Sequence, residues 1–204
     1  RALNGRPYTK EDVVLNRGRW VSFHHGGAFR GRTQSEALEG INAALVQAHA
    51  ALTSLDVLIL TLGTAYVYEH RARGHVVASC HRAPGKDFKR RPATVEEGAM
   101  ALLEPLRVLM GLNPDLKVIV TVSPVRHLRD DPTENSHSKA ICRLIAQELV
   151  EGLDASYFPS FEIVLDELRD YRFFGPDRAH PTPEAVAYMM DRFAEAYLSG
   201  PSRA

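Results

Sequence analysis

Asp177 and His180 are the residues of this sequence best suited to acid–base chemistry. They form the pattern Asp-x-x-His before Pro181, in a stretch whose glycine and prolines predict a loop. On a tight turn the carboxylate can accept a hydrogen bond from one imidazole nitrogen, which leaves the other nitrogen free as a base. The pair would then be two thirds of a nucleophile–base relay. An Asp that caps a turn beside an exposed His would give the same pattern.

A second candidate segment follows the apolar run 56–62, which is typical of a strand. Gly63 lets the backbone approach a ligand closely and point an N–H group at a developing oxyanion. Thr64 places a hydroxyl group beside it. A plain turn at the end of a strand would have the same sequence, so both interpretations stay open.

A third candidate segment follows the apolar run 117–122 and contains Ser123, Arg126 and His127. These residues place a hydroxyl, a guanidinium and an imidazole group in one loop. Arg126 could hold a carboxylate or a phosphate through two parallel hydrogen bonds, or it could form an internal ion pair. We expect Gly63 and Ser123 to lie at the carboxyl ends of adjacent parallel strands and to face the same cleft as His180.

Histidines and cysteines do not have the spacing of a metal site. The side chains that come into question are His24, His25, Cys80, His81 and His127. Adjacent histidines on an extended segment point to opposite faces, and no His-Glu-x-x-His pattern occurs. We therefore expect neither a metal nor another cofactor, and we expect Cys80 and Cys142 to be reduced thiols.

Composition excludes several classes of protein. The chain has 204 residues, with 25 Lys and Arg against 25 Asp and Glu, so a formal charge of zero provides no field to attract a nucleic acid. No apolar run approaches the roughly 20 residues that span a membrane. We expect a soluble, cytoplasmic protein of one domain over residues 1–204; the sequence does not indicate its oligomeric state.

Helical and strand patterns alternate along the chain. The predicted strands are 19–23, 56–62, 66–68, 75–79, 117–122 and 156–158. The predicted helices are 34–53, 94–112, 135–153 and 182–198, with a helical turn or two over 161–168. Continuous apolar strands such as 56–62 are expected to be buried on both faces, and their alternation with long helices predicts a parallel sheet of the doubly wound α/β class.

Taken in order, several segments resemble the GSCFA domain family, a bacterial branch related to the SGNH hydrolases. These segments are residues 56–66, 80–81, 113–117, 121–127, 166–172 and 177–181. The resemblance extends from about Trp20 to Phe193. It implies a three-layer flavodoxin-like fold of the SGNH type, with a parallel sheet between two layers of helices.

The resemblance also implies a function. His180 would be the general base and Asp177 its orienting carboxylate, in an esterase or a carbohydrate O-acyltransferase acting on a small-molecule or glycan ester. The alternatives are a catalytically inactive relative with a binding or scaffold role, and a metal-assisted hydrolase.

Two departures from the family pattern affect the expected site. The segment Gly-Ser-Cys-Phe-Ala, whose Ser would be the nucleophile after the first strand, does not occur in this sequence. Either it lies upstream of Arg1, which we expect, or this member of the family has lost it. In the first case the first strand is also missing and its neighbours have an open edge. Ala65 stands where SGNH hydrolases have the Asn of Gly-x-Asn, so backbone N–H groups, Thr64 or His81 would have to stabilise the oxyanion.

Overall fold

The computed structural model describes residues 1–198, which form two compact units. The first unit comprises Arg1–Asp56, Tyr66–Ala93 and Glu104–Leu116. The second comprises Val57–Ala65, Thr94–Leu103 and the chain from Lys117 onward.

The helices and strands follow the predicted order with a few additions. The strands are β1 (Val14–Asn16), β2 (Arg19–Val21), β3 (Val57–Leu62), β4 (Tyr66–His70), β5 (His75–Val77), β6 (Phe88–Pro92), β7 (Lys117–Val122) and β8 (Ser156–Phe158). The helices are α1 (Gln34–Leu52), α2 (Val95–Leu112), α3 (Pro132–Leu153), the short α4 (Ser160–Glu162) and α5 (Pro183–Tyr197). Within residues 1–198, no helix is both long and apolar enough to cross a membrane.

The first unit contains two small antiparallel sheets and α1. Strands β1 and β2 form a pair, and β4 lies between β5 and β6 in a three-stranded sheet. The hairpin of β4 and β5 confirms the prediction for 66–79, whereas β1 and β6 were not predicted. Phe23, Val77 and Phe88 form one buried cluster of this unit, and Val13, Ala37 and Ile41 form another.

The second unit contains a three-stranded parallel sheet in the order β3-β7-β8. Helix α5 covers part of this sheet, since its aromatic residues pack on Ile119 of β7, Phe158 of β8 and Ile163. The first half of α2 packs on α3, where Gly98 leaves no room for a β-carbon beside the side chain of Ile145. A mixed α/β architecture with a parallel sheet and flanking helices is therefore confirmed.

One prediction about the sheet is wrong. Strand β3 is not buried on both faces, because Val57 is 43% exposed and Ile59 is 52% exposed. Among the described residues β3 has a single sheet neighbour, β7, so it is an edge strand. In the register of the two strands Ile59 lies beside Ile119, which is only 5% exposed. The side chains that pack on this face of the sheet thus bury β7 but leave β3 exposed.

Local signals set the helix ends. Helix α3 begins three residues before its predicted start, because Asp131 and Glu134 form a capping box and Pro132 occupies the first turn. Thr182 caps α5 without a reciprocal bond, its hydroxyl accepting a hydrogen bond from the N–H group of Ala185. The predicted helical turns over 161–168 consist of the end of α4 followed by one π-helical turn, Ile163–Glu167.

Candidate active site

Asp177 and His180 contact each other in the loop before α5. Oδ2 of Asp177 lies 2.6 Å from Nδ1 of His180, and Oδ1 accepts hydrogen bonds of 3.0 Å from the backbone N–H groups of Ala179 and His180. The side chain of His180 is 67% exposed. With Nδ1 donating to the carboxylate, Nε2 is left as the basic nitrogen, and it is accessible from solvent.

Backbone hydrogen bonds close this loop and hold the two side chains in place. The N–H group of Gly175 donates to the carbonyl of His180 at 2.8 Å, and that of Arg178 donates to the carbonyl of Gly175 at the same distance. Arg178 has a φ of 55°, a left-handed conformation that a residue with a side chain adopts only where surrounding contacts enforce it. The loop therefore fixes the orientation of the Asp177–His180 pair before any ligand binds.

The carboxyl group of Asp177 is held in its ionised form. Hydrogen bonds from the backbone N–H groups of His180 and Ala179, followed by the bond from the His180 ring, hold its pKa well below the usual range. An ionised carboxylate can orient the imidazole and stabilise the imidazolium ion that forms when His180 takes up a proton. The loop thus has the electrostatics of a base with its orienting group.

Lys139 of α3 joins the ends of two strands of the parallel sheet. Its Nζ donates hydrogen bonds of 2.6 Å to the backbone carbonyls of Gly63, after β3, and Ser123, after β7. The lysine is only 4% exposed, and this burial lowers the pKa of its ammonium group. Gly63 and Ser123 therefore lie at the carboxyl ends of adjacent parallel strands, as predicted, and share one cation.

Ser138 holds the segment that follows β3. Its hydroxyl group accepts a hydrogen bond of 2.8 Å from the N–H group of Ala65 and lies 3.1 Å from the hydroxyl of Thr64. The N–H group of Ala65 is consequently engaged within the protein. The backbone of Ala65 is therefore not available as a donor to an oxyanion.

Asn135 shapes the loop after β7. Its Oδ1 accepts a hydrogen bond from the backbone N–H of His127, and its Nδ2 donates to the carbonyls of His127, Asp130 and Asp131. The backbone of His127 is thereby fixed while its ring stays exposed. The hydroxyl of Ser123 accepts a bond from the N–H of Val125 at 3.2 Å, so it serves the turn of this loop.

Three residues of α3 that organise these loops were not predicted from the sequence. Asn135, Ser138 and Lys139 are all buried and lie three and four positions apart, which places them on one face of the helix. A polar stripe on the buried side of an otherwise amphipathic helix is the signal that could have identified them.

Arg126 and Arg178 line the same cleft, which has a volume of about 260 Å³. Arg126 comes from the loop after β7, and Arg178 lies between Asp177 and His180. The cleft thus brings together two of the loops in which the sequence predicted site residues.

His81 belongs to the first unit, whereas the other predicted site residues belong to the second. Its Nε2 lies 2.8 Å from the backbone carbonyl of Ser22, and its own carbonyl accepts a hydrogen bond from Asn16. The ring of His81 therefore has a structural partner within its own unit.

No metal centre is formed by the described part of the chain. Within residues 1–198, no group of three or more His, Cys, Asp or Glu side chains is arranged to hold an ion. His24 stacks on His75 instead, and the ring of His25 packs edge-on against Tyr8.

Comparison with known proteins identifies a family and a curated relative. The model of the GSCFA family matches residues 1–193. A histidine–tRNA ligase of Alkalilimnicola ehrlichii is 30% identical over 169 residues, which are 74% of this chain and 37% of the ligase. The chain thus spans little more than a third of the length of that relative.

Proposed function

Because the chain belongs to the GSCFA family, we propose that it supplies the acid–base pair of a serine-type ester hydrolase or acyltransferase, with His180 as general base and Asp177 as its orienting carboxylate. The substrate class is an ester-linked acyl group on a small molecule or a glycan. The proposal concerns residues 1–204 together with a nucleophilic serine supplied by a segment outside them.

The contact of 2.6 Å between Asp177 Oδ2 and His180 Nδ1 is the observation on which this proposal depends. A carboxylate that only capped a turn would bind backbone N–H groups, as Oδ1 of Asp177 does. Here the second oxygen is directed at the imidazole, whose other nitrogen is accessible. This arrangement favours a base over a simple cap.

The chemistry of such a pair is acyl transfer in two steps. The serine Oγ bonds to the ester carbonyl carbon while its proton passes to Nε2 of His180. Collapse of the tetrahedral intermediate breaks the ester bond, and the departing alkoxide takes that proton. Water or a sugar hydroxyl then attacks the acyl-serine, His180 again accepting a proton and returning it to the serine oxygen. Asp177 stays ionised throughout and stabilises the imidazolium.

Backbone N–H groups of Gly63 and Thr64 are the proposed donors to the oxyanion. The anchoring of this segment by Lys139 and Ser138 supports the assignment, since an oxyanion hole requires donors that are already fixed before the reaction. Ser123, Arg126 and His127 are the proposed residues for substrate binding from the neighbouring loop.

The open edge of β3 supports the proposal that the nucleophile comes from a segment outside residues 1–204. Strand β3 is mostly apolar, and its edge that faces away from β7 has no strand beside it among the described residues. Natural sheets rarely leave an apolar edge uncovered. A strand that carries the Gly-Ser-Cys-Phe-Ala segment would pair there and bring its serine to the carboxyl edge of the sheet, near Gly63.

Turnover of p-nitrophenyl acetate tests the proposal. We compare residues 1–204, a form extended at the amino terminus through a Gly-Ser-Cys-Phe-Ala segment, and His180→Ala in the extended form. The extended form should be active and the short chain inactive. His180→Ala should lower kcat by about 10⁴-fold or more, the cost of removing a triad member.

His137→Ala is the matched control, because His137 is an exposed histidine on α3 for which the described residues offer no partner. It should turn over the ester at the rate of the unmodified extended form. Equal activity of the extended form and its His180→Ala variant would show that His180 is not the base.

A further inference from the structure

The cleft beside the Asp177–His180 loop carries an unbalanced positive charge. Three arginines line it, Arg126, Arg169 and Arg178, against one carboxylate, that of Asp170. The carboxylate is engaged elsewhere, since its Oδ1 accepts the backbone N–H of Arg172 at 3.0 Å and its Oδ2 lies 3.9 Å from that residue's Nε. The lining of the cleft does not neutralise its own arginines.

The three guanidinium groups have no anionic partner in the described part of the chain. Among residues 1–198, no hydrogen bond or ion pair involves the guanidinium of Arg126, Arg169 or Arg178. The guanidinium of Arg178 lies 6.0 Å from the centre of the Tyr171 ring, at the outer limit of a cation–π contact. Each group therefore keeps its hydrogen-bond donors for a ligand or for water.

The adjacent cavity provides a comparison. It has a volume of about 280 Å³ and shares Arg126 with the first cleft, but its other cations are Lys139 and Arg143. Lys139 binds two carbonyls, and Nε of Arg143 is 3.0 Å from a carboxylate oxygen of Glu162. Internal partners thus satisfy both of these other cations. The unsatisfied charge thus belongs to the cleft that contains Arg178.

This cleft also presents an apolar surface next to its arginines. Tyr171 and Phe174 line it, and their ring centres are 6.4 Å apart. Leu168, only 6% exposed, contributes to its lining as well. A ligand that fits must combine an anionic group with a ring or chain that packs on these side chains. A free inorganic ion would use only half of the site.

The position of Arg178 connects the cleft to the proposed chemistry. Arg178 is two residues from His180, so their Cα atoms are at most about 7 Å apart. An anion held by Arg178 would be bound by the same loop that carries the imidazole. This proximity suits a group on the substrate itself.

We propose that this cleft binds an anionic group of the substrate, a phosphate or a carboxylate on the sugar that carries the acyl ester. This inference rests on the proposed function and adds a substrate class, acylated anionic sugars, to it. The arginines hold the anion through paired charge-assisted hydrogen bonds, while Tyr171 and Phe174 pack on the sugar ring.

Binding measurements test the inference without any need for turnover. Titration calorimetry at low salt compares glucose 6-phosphate, glucuronic acid and glucose, with inorganic phosphate as a fourth probe, on residues 1–204. We expect one or both of the anionic sugars to bind at least tenfold more tightly than glucose and than inorganic phosphate. The preference between them distinguishes a phosphate site from a carboxylate site.

Single variants Arg126→Ala, Arg169→Ala and Arg178→Ala should each weaken that binding about tenfold or more, as expected for the loss of charged hydrogen bonds. Arg192→Ala is the matched control, because this arginine lies on α5 and pairs with Glu167 and Glu195. It should bind the sugars as the unmodified chain does. Thermal melting of every variant identifies any loss of affinity that is due to unfolding.

The two proposals fail in different ways. His180→Ala should keep the affinity for the anionic sugar and lose turnover in the extended form. Equal affinity for glucose and both anionic sugars, or affinity unchanged in all three arginine variants, would overturn the anion site and leave the esterase proposal standing. If the chain binds an anionic sugar but the His180→Ala variant of the extended form retains full turnover, only the esterase proposal is refuted.

Discussion

The side chain of Lys139 donates a hydrogen bond of 2.6 Å to the backbone carbonyl of Gly63, 76 residues away in the chain. The same ammonium group binds the carbonyl of Ser123, so one buried cation fixes the ends of two strands. These strand ends bear the residues proposed to stabilise an oxyanion and to bind substrate. A structural lysine thus anchors two of the loops proposed for the site.

Lys139→Met should destabilise the protein. Methionine has a similar length but no donor, so two carbonyls lose their partner, and we expect the free energy of unfolding to fall by about 2 kcal/mol. Urea unfolding measures the change. Lys117→Met is the control, because Lys117 is exposed at the start of β7, and a surface change of this kind stays within about 0.5 kcal/mol. Equal midpoints for the two variants would contradict the bridging role of Lys139.

Asp177→Asn should remove activity from the extended form while leaving the loop folded. An asparagine oxygen can still accept the backbone N–H bonds, but the side chain can no longer hold the imidazole as a carboxylate does. We expect kcat to fall by about 10⁴-fold, with KM changed much less. Asp166→Asn, at an exposed carboxylate in the π-helical turn, should leave both constants as they are. Steady-state kinetics on p-nitrophenyl acetate measures both constants. An Asp177→Asn variant with full activity would show that Asp177 does not orient the base.

Acidification should destabilise the protein through the histidines of the first unit. Burial lowers the pKa of His24 and of His25 below the ordinary value of 6.5. The unfolded chain therefore takes up protons first as the pH falls, so the stability present above pH 6.5 is lost below it. We expect Tm to fall between pH 7.5 and pH 5.5.

A double variant, His24→Gln with His25→Gln, tests the origin of this pH dependence. It should flatten the fall in Tm over the same range, because glutamine does not titrate. His137→Gln should keep the fall unchanged, since His137 is exposed on α3. A double variant with the pH dependence of the unmodified chain would assign the effect to other groups.

Two glycines should respond to alanine in opposite directions. A β-carbon at Gly31 would lie 2.5 Å from the backbone nitrogen of Ala37 and 2.7 Å from the carbonyl oxygen of Thr33. Backbone atoms cannot move aside easily, so Gly31→Ala should cost about 1–3 kcal/mol, as overpacking does. Gly40 lies within α1 with nothing within 4 Å of the added carbon, so Gly40→Ala should stabilise by about 0.5–1 kcal/mol. Thermal melts that shift in the same direction would contradict this contrast.

The apolar edge of β3 should matter only when the proposed strand covers it. The double variant Val57→Thr with Ile59→Thr keeps β-branched residues in the strand, and it should change the stability of residues 1–204 by less than about 0.5 kcal/mol. In the extended form it should cost about 1 kcal/mol or more, because side chains of the added strand then pack beside both residues. Leu15→Thr, at a residue of β1 that is 61% exposed, should have the same small effect in both forms. Urea unfolding measures the change in stability for each variant in the short and the extended form. An equal change for the double variant in the two forms would disprove strand pairing at this edge.

The sequence by itself determined most helices and strands and the Asp177–His180 pair, because these depend on short-range spacing. The capping box at Thr94 and Glu97 predicts the start of α2, and both of its hydrogen bonds form. Asp177 and His180 are three residues apart, so a single turn is sufficient to bring their side chains together.

Tertiary structure alone decided which loops are joined and which faces are covered. An apolar run such as Val57–Leu62 indicates a strand, but whether Ile59 is buried depends on what lies beside it in space, and here it is 52% exposed. Lys139 binds the carbonyl of Gly63, which is far from it in the chain. Arg126 and Arg178 line one cleft although more than fifty residues separate them in sequence. The spacing of residues along the chain cannot predict such contacts, because they form only when whole helices and strands pack together and exclude water.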